Sequence, residues 1–86
     1  MIARHLVKNR VRELRGRFHM RQSDLADEIG VTRQTILAIE KGRLTPSVGI
    51  ALKLARVLRE PVDYVFYLMP SAAEAPPIPV ELSPQM

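Results

Sequence analysis

The sequence predicts an all-α fold: a compact five-helix bundle followed by a Pro-rich extended C-terminal tail. Three observations carry that expectation. Five short stretches between residues 9 and 69 repeat apolar side chains at the three- and four-residue spacing of a helix face. The breaks between them hold residues that stop or start helices, among them Gly30, Thr32, Gly42, Pro46, Ser47 and Pro61. Five prolines from Pro70 onward (Pro70, Pro76, Pro77, Pro79, Pro84) forbid a sustained helix there. The expected division is a basic lead-in over 1–8, a helical domain over 9–69 and a flexible tail over 70–86.

Taken in order, the lead-in is basic and half apolar, with Ile2, Leu6 and Val7. It extends the first helix, pairs as a short strand with a partner, reaches out as an arm, or is disordered as chain ends often are. The first helix is expected from Asn9, a capping residue, to Arg17. Val7, Val11, Leu14 and Phe18 share its inward face. The second begins near Gln22 and buries Leu25, Ala26 and Ile29, with Asp24 suiting the positive end of the helix dipole. Gly30 can take the left-handed conformation that ends it, and Val31 pins the turn.

Thr32 is the expected N-cap of the third helix, about residues 32–41, its hydroxyl accepting from the N–H of Gln34 or Thr35. Ile36, Leu37 and Ile39 point inward and Gly42 ends it. The fourth runs from Ser47 to about Leu58, with Ile50, Ala51, Leu54, Ala55, Val57 and Leu58 as a broad apolar face. Gly49 within it costs about 1 kcal/mol relative to Ala. The fifth starts near Pro61 and continues through VDYVFYL. Val62, Val65, Phe66 and Leu68 exceed the needs of one small core, so they either close that core or form a dimer interface. In the tail Ile78, Val80 and Leu82 alternate with Pro79 and Glu81, as in a strand added to a partner or in a flexible segment.

Charge is distributed unevenly. Residues 1–21 hold seven Arg or Lys against one Glu, residues 22–69 hold six of each sign, and the tail holds two Glu. A basic segment of this kind binds phosphates or solubilises a surface helix. The third helix opens on long polar side chains, Arg33, Gln34 and Thr35, while its middle is apolar. Such a turn is either a solvated surface or a reader of a DNA major groove. There Arg can bond both acceptors of guanine, Gln both edge groups of adenine, and a Thr methyl can meet that of thymine.

The spacing resembles the helix-turn-helix of the XRE family, the phage-repressor/Cro class of regulators. The family pattern is Q-x-x-L-A-x-x-x-G-V-[ST]-x-x-x-I-x-x-I-E-x-G, then a loop with Pro and a helix. Gln22, Leu25, Ala26, Gly30, Val31, Thr32, Ile36, Ile39, Glu40, Gly42, Pro46 and Ser47 occupy those places, within a match from about Asn9 to Phe66.

The resemblance implies a lambda-repressor-like DNA-binding fold and a sequence-specific transcriptional regulator of double-stranded DNA. It implies Arg33, Gln34, Thr35 and, one turn on, Ala38 as base readers. Arg21, Gln22, Thr32, Lys41, Arg43 and Thr45 would hold phosphates, and Arg15 with Glu40 would form a buried ion pair. Met20 would pack under the second helix. A homodimer would read a palindrome with half-sites about one helical turn apart. Two departures stand out. Arg21 replaces the usual Ser or Thr cap, so the cap is weakened or Arg21 meets a phosphate instead, and Arg59 replaces a helix-ending Gly. An antitoxin, or a protein-interaction module whose tail binds a partner protein, uses the same domain.

Other chemistry is not expected. There is no Cys, hence no disulfide or thiolate site, and His5 and His19 stand too far apart for a metal pair. No nucleophile elbow or Gly-rich phosphate loop occurs, so neither an enzyme nor a cofactor is anticipated. No apolar run reaches the ~18 residues of a membrane span, and the start lacks a secretory apolar core, so a cytoplasmic protein is expected.

Overall fold

The computed structural model describes residues 5–70. Its elements are β1 (His5–Asn9), α1 (Val11–Arg17), α2 (Gln22–Ile29), α3 (Arg33–Glu40), α4 (Val48–Leu58), α5 (Val62–Val65) and β2 (Phe66–Pro70). The five helices are present, but the fold is not purely α. β1 and β2 pair antiparallel, with Leu6 opposite Met69, Val7 opposite Leu68, Lys8 opposite Tyr67 and Asn9 opposite Phe66.

That sheet corrects both ends of the expected bundle. The first helix starts at Val11, because Asn9 belongs to β1; the Asn9 Oδ1 still accepts the Val11 N–H at 3.1 Å. The fifth helix is one turn, and the FYLM run continues as strand, its apolar residues serving a ladder. Arg10 joins the two systems. Its N–H donates to the Val65 carbonyl at 2.8 Å and its Nη1 to the Tyr64 carbonyl at 2.6 Å. Its guanidinium lies 4.3 Å from the ring centroids of both Tyr64 and Tyr67, a doubled cation–π contact. The Pro-rich tail expected over 70–86 lies outside the described residues, apart from Pro70 at the end of β2.

The core is built by Val11, Leu14, Leu25, Ala26, Ile29, Ile36, Ile39, Leu54, Ala55, Leu58 and Val65, every one from a helix. Met20, Val31, Ile50, Val57, Val62, Tyr64 and Phe66 pack around it, half-buried. Phe18 departs from expectation and is 42% exposed. Helix α1 ends at Arg17, and Phe18 is its C-cap, past the helical face that buries Val11 and Leu14.

Left-handed residues close all four longer helices. Gly30 (φ 78°) follows α2, Gly42 (φ 75°) follows α3, His19 follows α1 and Arg59 (φ 60°) follows α4. After α3 the Gly42 N–H donates to the Ile39 carbonyl and the Arg43 N–H to the Ala38 carbonyl, the paired bonds of a Schellman ending. The same pair recurs after α4, from Arg59 to Arg56 and from Glu60 to Ala55. No helix among the described residues is long and apolar enough to cross a membrane.

Candidate nucleic-acid interface

The turn between α2 and α3 fixes one exposed helix end. Thr32 has extended backbone geometry, and its Oγ1 accepts the Thr35 N–H at 3.2 Å. The Thr32 and Thr35 hydroxyls also bond each other at 3.0 Å. Ile36 and Ile39 bury the inner face of α3. Arg33 and Gln34 therefore point outward from the first turn, exposed and without a hydrogen bond to another described residue. Thr35 is half-buried with its hydroxyl tied to Thr32, and Ala38 is half-buried one turn further.

The start of α2 is capped in reverse. Arg has no acceptor and cannot cap, so the carboxylate of Asp24, in the third position of the helix, accepts the Arg21 N–H at 2.8 Å. The Arg21 guanidinium forks over the same carboxylate at 3.1 and 3.0 Å. These bonds hold the Asp24 carboxyl below the usual aspartate range and push the Arg21 guanidinium higher still. Arg21 thus stays exposed with its charge partly answered inside the protein.

Behind α3, Arg15 and Glu40 are brought together as a fork: Nε to Oε2 at 2.8 Å and Nη2 to Oε1 at 3.1 Å. Nη1 donates to the Met20 carbonyl at 2.8 Å, and the Gln22 Nε2 donates to Glu40 Oε1 at 3.1 Å. With side chains 16% and 5% exposed, the pair locks α1, α2 and α3 into one orientation. It also turns Gln22 toward the end of α3, where Lys41 is exposed. Arg43 and Thr45 are exposed in the following loop.

Of two further groups, the sequence pointed to Asn9 only as a helix cap and did not single out Arg12 individually. Asn9 donates from Nδ2 to the Ile39 carbonyl at 2.9 Å, fastening β1 to the end of α3. Arg12 lines the same cavity as Gln22 and Lys41. Only the basic bias of residues 1–21 hinted at Arg12, and nothing local hinted at the bond from Asn9. Among the described residues no group of three His, Cys, Asp or Glu gathers as metal ligands.

Comparison with known proteins places this geometry. A helix-turn-helix family model matches residues 11–65. An uncharacterized HTH-type transcriptional regulator of Bacillus subtilis, YgzD, is 47% identical over 62 residues, 72% of this chain and 94% of that protein. An HTH-type transcriptional regulator of Methanothermobacter thermautotrophicus is 44% identical over 63 residues, 72% of this chain and 91% of that protein. The crystal structure of the restriction-modification controller protein C.AhdI from Aeromonas hydrophila superposes with a TM-score of 0.58 at 34% identity, covering 62% of this chain and 77% of that one.

Proposed function

The chain belongs to the XRE-type helix-turn-helix family of DNA-binding transcriptional regulators, and from that premise we propose that it reads a specific duplex sequence with α3 in the major groove. Its relatives are regulators rather than enzymes. The observation that supports the reading best is the first turn of α3. Its backbone is fixed by Thr32 and its inner face is buried, while Arg33 and Gln34 are exposed and uncommitted among the described residues.

In this reading Arg33, Gln34, Thr35 and Ala38 meet base edges. The Thr35 hydroxyl is already bonded to that of Thr32, so Thr35 contributes chiefly, and Ala38 solely, methyl contact. Arg21, Gln22, Thr32, Lys41, Arg43 and Thr45 hold phosphates, which fix register without carrying sequence information. Two copies bind a palindrome with half-sites about one helical turn apart. The protein acts in the cytoplasm, with the DNA it binds.

Selection from a random-duplex library at two salt concentrations, followed by sequencing of the bound fraction, tests the reading. A short palindrome is expected. Arg33→Ala should lose about 1–3 kcal/mol on that site and relax preference at one base pair. Arg43→Ala should weaken all duplexes alike and flatten the salt dependence. Salt-sensitive binding with no enriched sequence would sink the specific-reader assignment.

A further inference from the structure

We infer that Lys8 and Arg12, each lining a cavity that Lys41 also lines, carry the phosphate-gripping surface beyond the helix-turn-helix; the inference rests on the DNA-binding reading above. Two cavities adjoin the C-terminal end of α3. One, of about 130 Å³, is lined by Lys8, Asn9, Glu40 and Lys41 together with neighbours from β1 and β2. The other, of about 220 Å³, is lined by Arg12, Arg15, Gln22, Leu37, Glu40 and Lys41. Glu40 and Lys41 line both, so Lys8 and Arg12 each share a cavity with the same helix end.

Charge at this end favours an anion. Glu40 is the carboxylate common to both cavities, and the Arg15 fork with the Gln22 amide already answers it. Lys8, Arg12 and Lys41 form no ion pair among the described residues. They are not needed as helix caps either. The Leu37 carbonyl takes the Lys41 N–H, the Ala38 carbonyl takes those of Arg43 and Leu44, and the Ile39 carbonyl takes those of Gly42 and the Asn9 amide. Three cations therefore line the cavities at a helix end whose Leu37, Ala38 and Ile39 carbonyls and Glu40 carboxylate already have partners.

Lys8 is also held in place. Its strand is registered against β2 through Tyr67, and the next residue, Asn9, is clamped to α3. Whatever positions α3 on DNA positions Lys8 with it. The backbone phosphates of the duplex that α3 reads are the ligand this arrangement fits, and the contacts are independent of base sequence.

Binding of the full chain to the selected operator and to a mixed-sequence duplex, followed across salt, tests this. Lys8→Gln and Arg12→Gln should each reduce the slope of log K against log salt by about 0.9 and weaken both duplexes equally. Thermal midpoints should stay unchanged, since both side chains are exposed. Lys53→Gln, an exposed cation on α4 away from both cavities, should leave the slope intact. Unchanged slopes for Lys8→Gln and Arg12→Gln, with the wild type still bound to its operator, would overturn the inference and spare the DNA-binding reading. An equal effect from Lys53→Gln, or losses that track a fall in thermal midpoint, would overturn it too. A wild type that binds neither duplex would remove the reading and the inference together.

Discussion

Arg15 is the residue on which three helices converge, since it bonds Glu40 twice and the Met20 carbonyl once while mostly buried. Arg15→Ala would strand the Glu40 carboxylate beside the core, with only the Gln22 amide left to it. We expect a loss of roughly 3–5 kcal/mol in urea unfolding. A loss below about 1 kcal/mol, the ordinary range of a surface pair, would show that water replaces the guanidinium. Gly49 is the opposite case. It lies in the first turn of α4 with ordinary helical backbone, and a Cβ there would meet only the Ser47 Oγ, at 3.9 Å. Gly49→Ala should stabilise by about 0.5–1 kcal/mol, read as a higher urea midpoint at unchanged slope. A destabilised variant would mean that α4 needs the glycine for a reason outside this packing.

Among the elements, α2 carries the clearest pH dependence. Bonding to Arg21 lowers the Asp24 pKa on folding, so its contribution to stability is complete above the ordinary aspartate value and disappears as pH falls through the lower folded value. Wild type should therefore exceed Asp24→Asn in urea midpoint at neutral pH, and the gap should close well below pH about 4. A gap that persists unchanged at the most acid pH tolerated would sink the assignment. The elements also show how far local sequence reaches. Gly30, Thr32, Gly42 and Ser47 mark helix ends by their own chemistry, so α2, α3 and the start of α4 were legible, and with them the exposed turn of Arg33 and Gln34. His19 and Arg59 end helices in left-handed geometry that side-chain-bearing residues seldom adopt, held by backbone bonds to the last turn, so their residue types did not announce it. The FYLM run of β2 is apolar without a break, which suits a strand or a buried helix equally. Its partner lies at the far end of the chain, where no local pattern records it.

For the molecule as a whole, the helical core closes without the sheet, since every fully buried side chain among the described residues comes from a helix. The sheet leaves Leu6, Leu68 and Met69 about half exposed or more and is anchored chiefly by Asn9 and Arg10. Removing residues 2–8 should thus keep the helical circular dichroism at low temperature while lowering unfolding free energy by about 1–3 kcal/mol, the worth of a few cross-strand pairs. Loss of cooperative unfolding altogether would show instead that β1 is part of the minimal fold. Operator binding by the truncated chain should fall at least as far as in the Lys8→Gln variant, because Lys8 leaves with the strand.

The register of the sheet also has a topological consequence. His5 and Pro70 are cross-strand partners, which sets their Cα atoms about 5 Å apart. A turn of two residues could join them and make the described chain a ring. In the open chain that contact closes the longest loop in the fold, and the entropy of closure opposes it until the helices have already assembled. In the ring the search is finished before folding begins, so the sheet would form early, and new termini could be cut in the loop after Gly42 without separating β1 from β2.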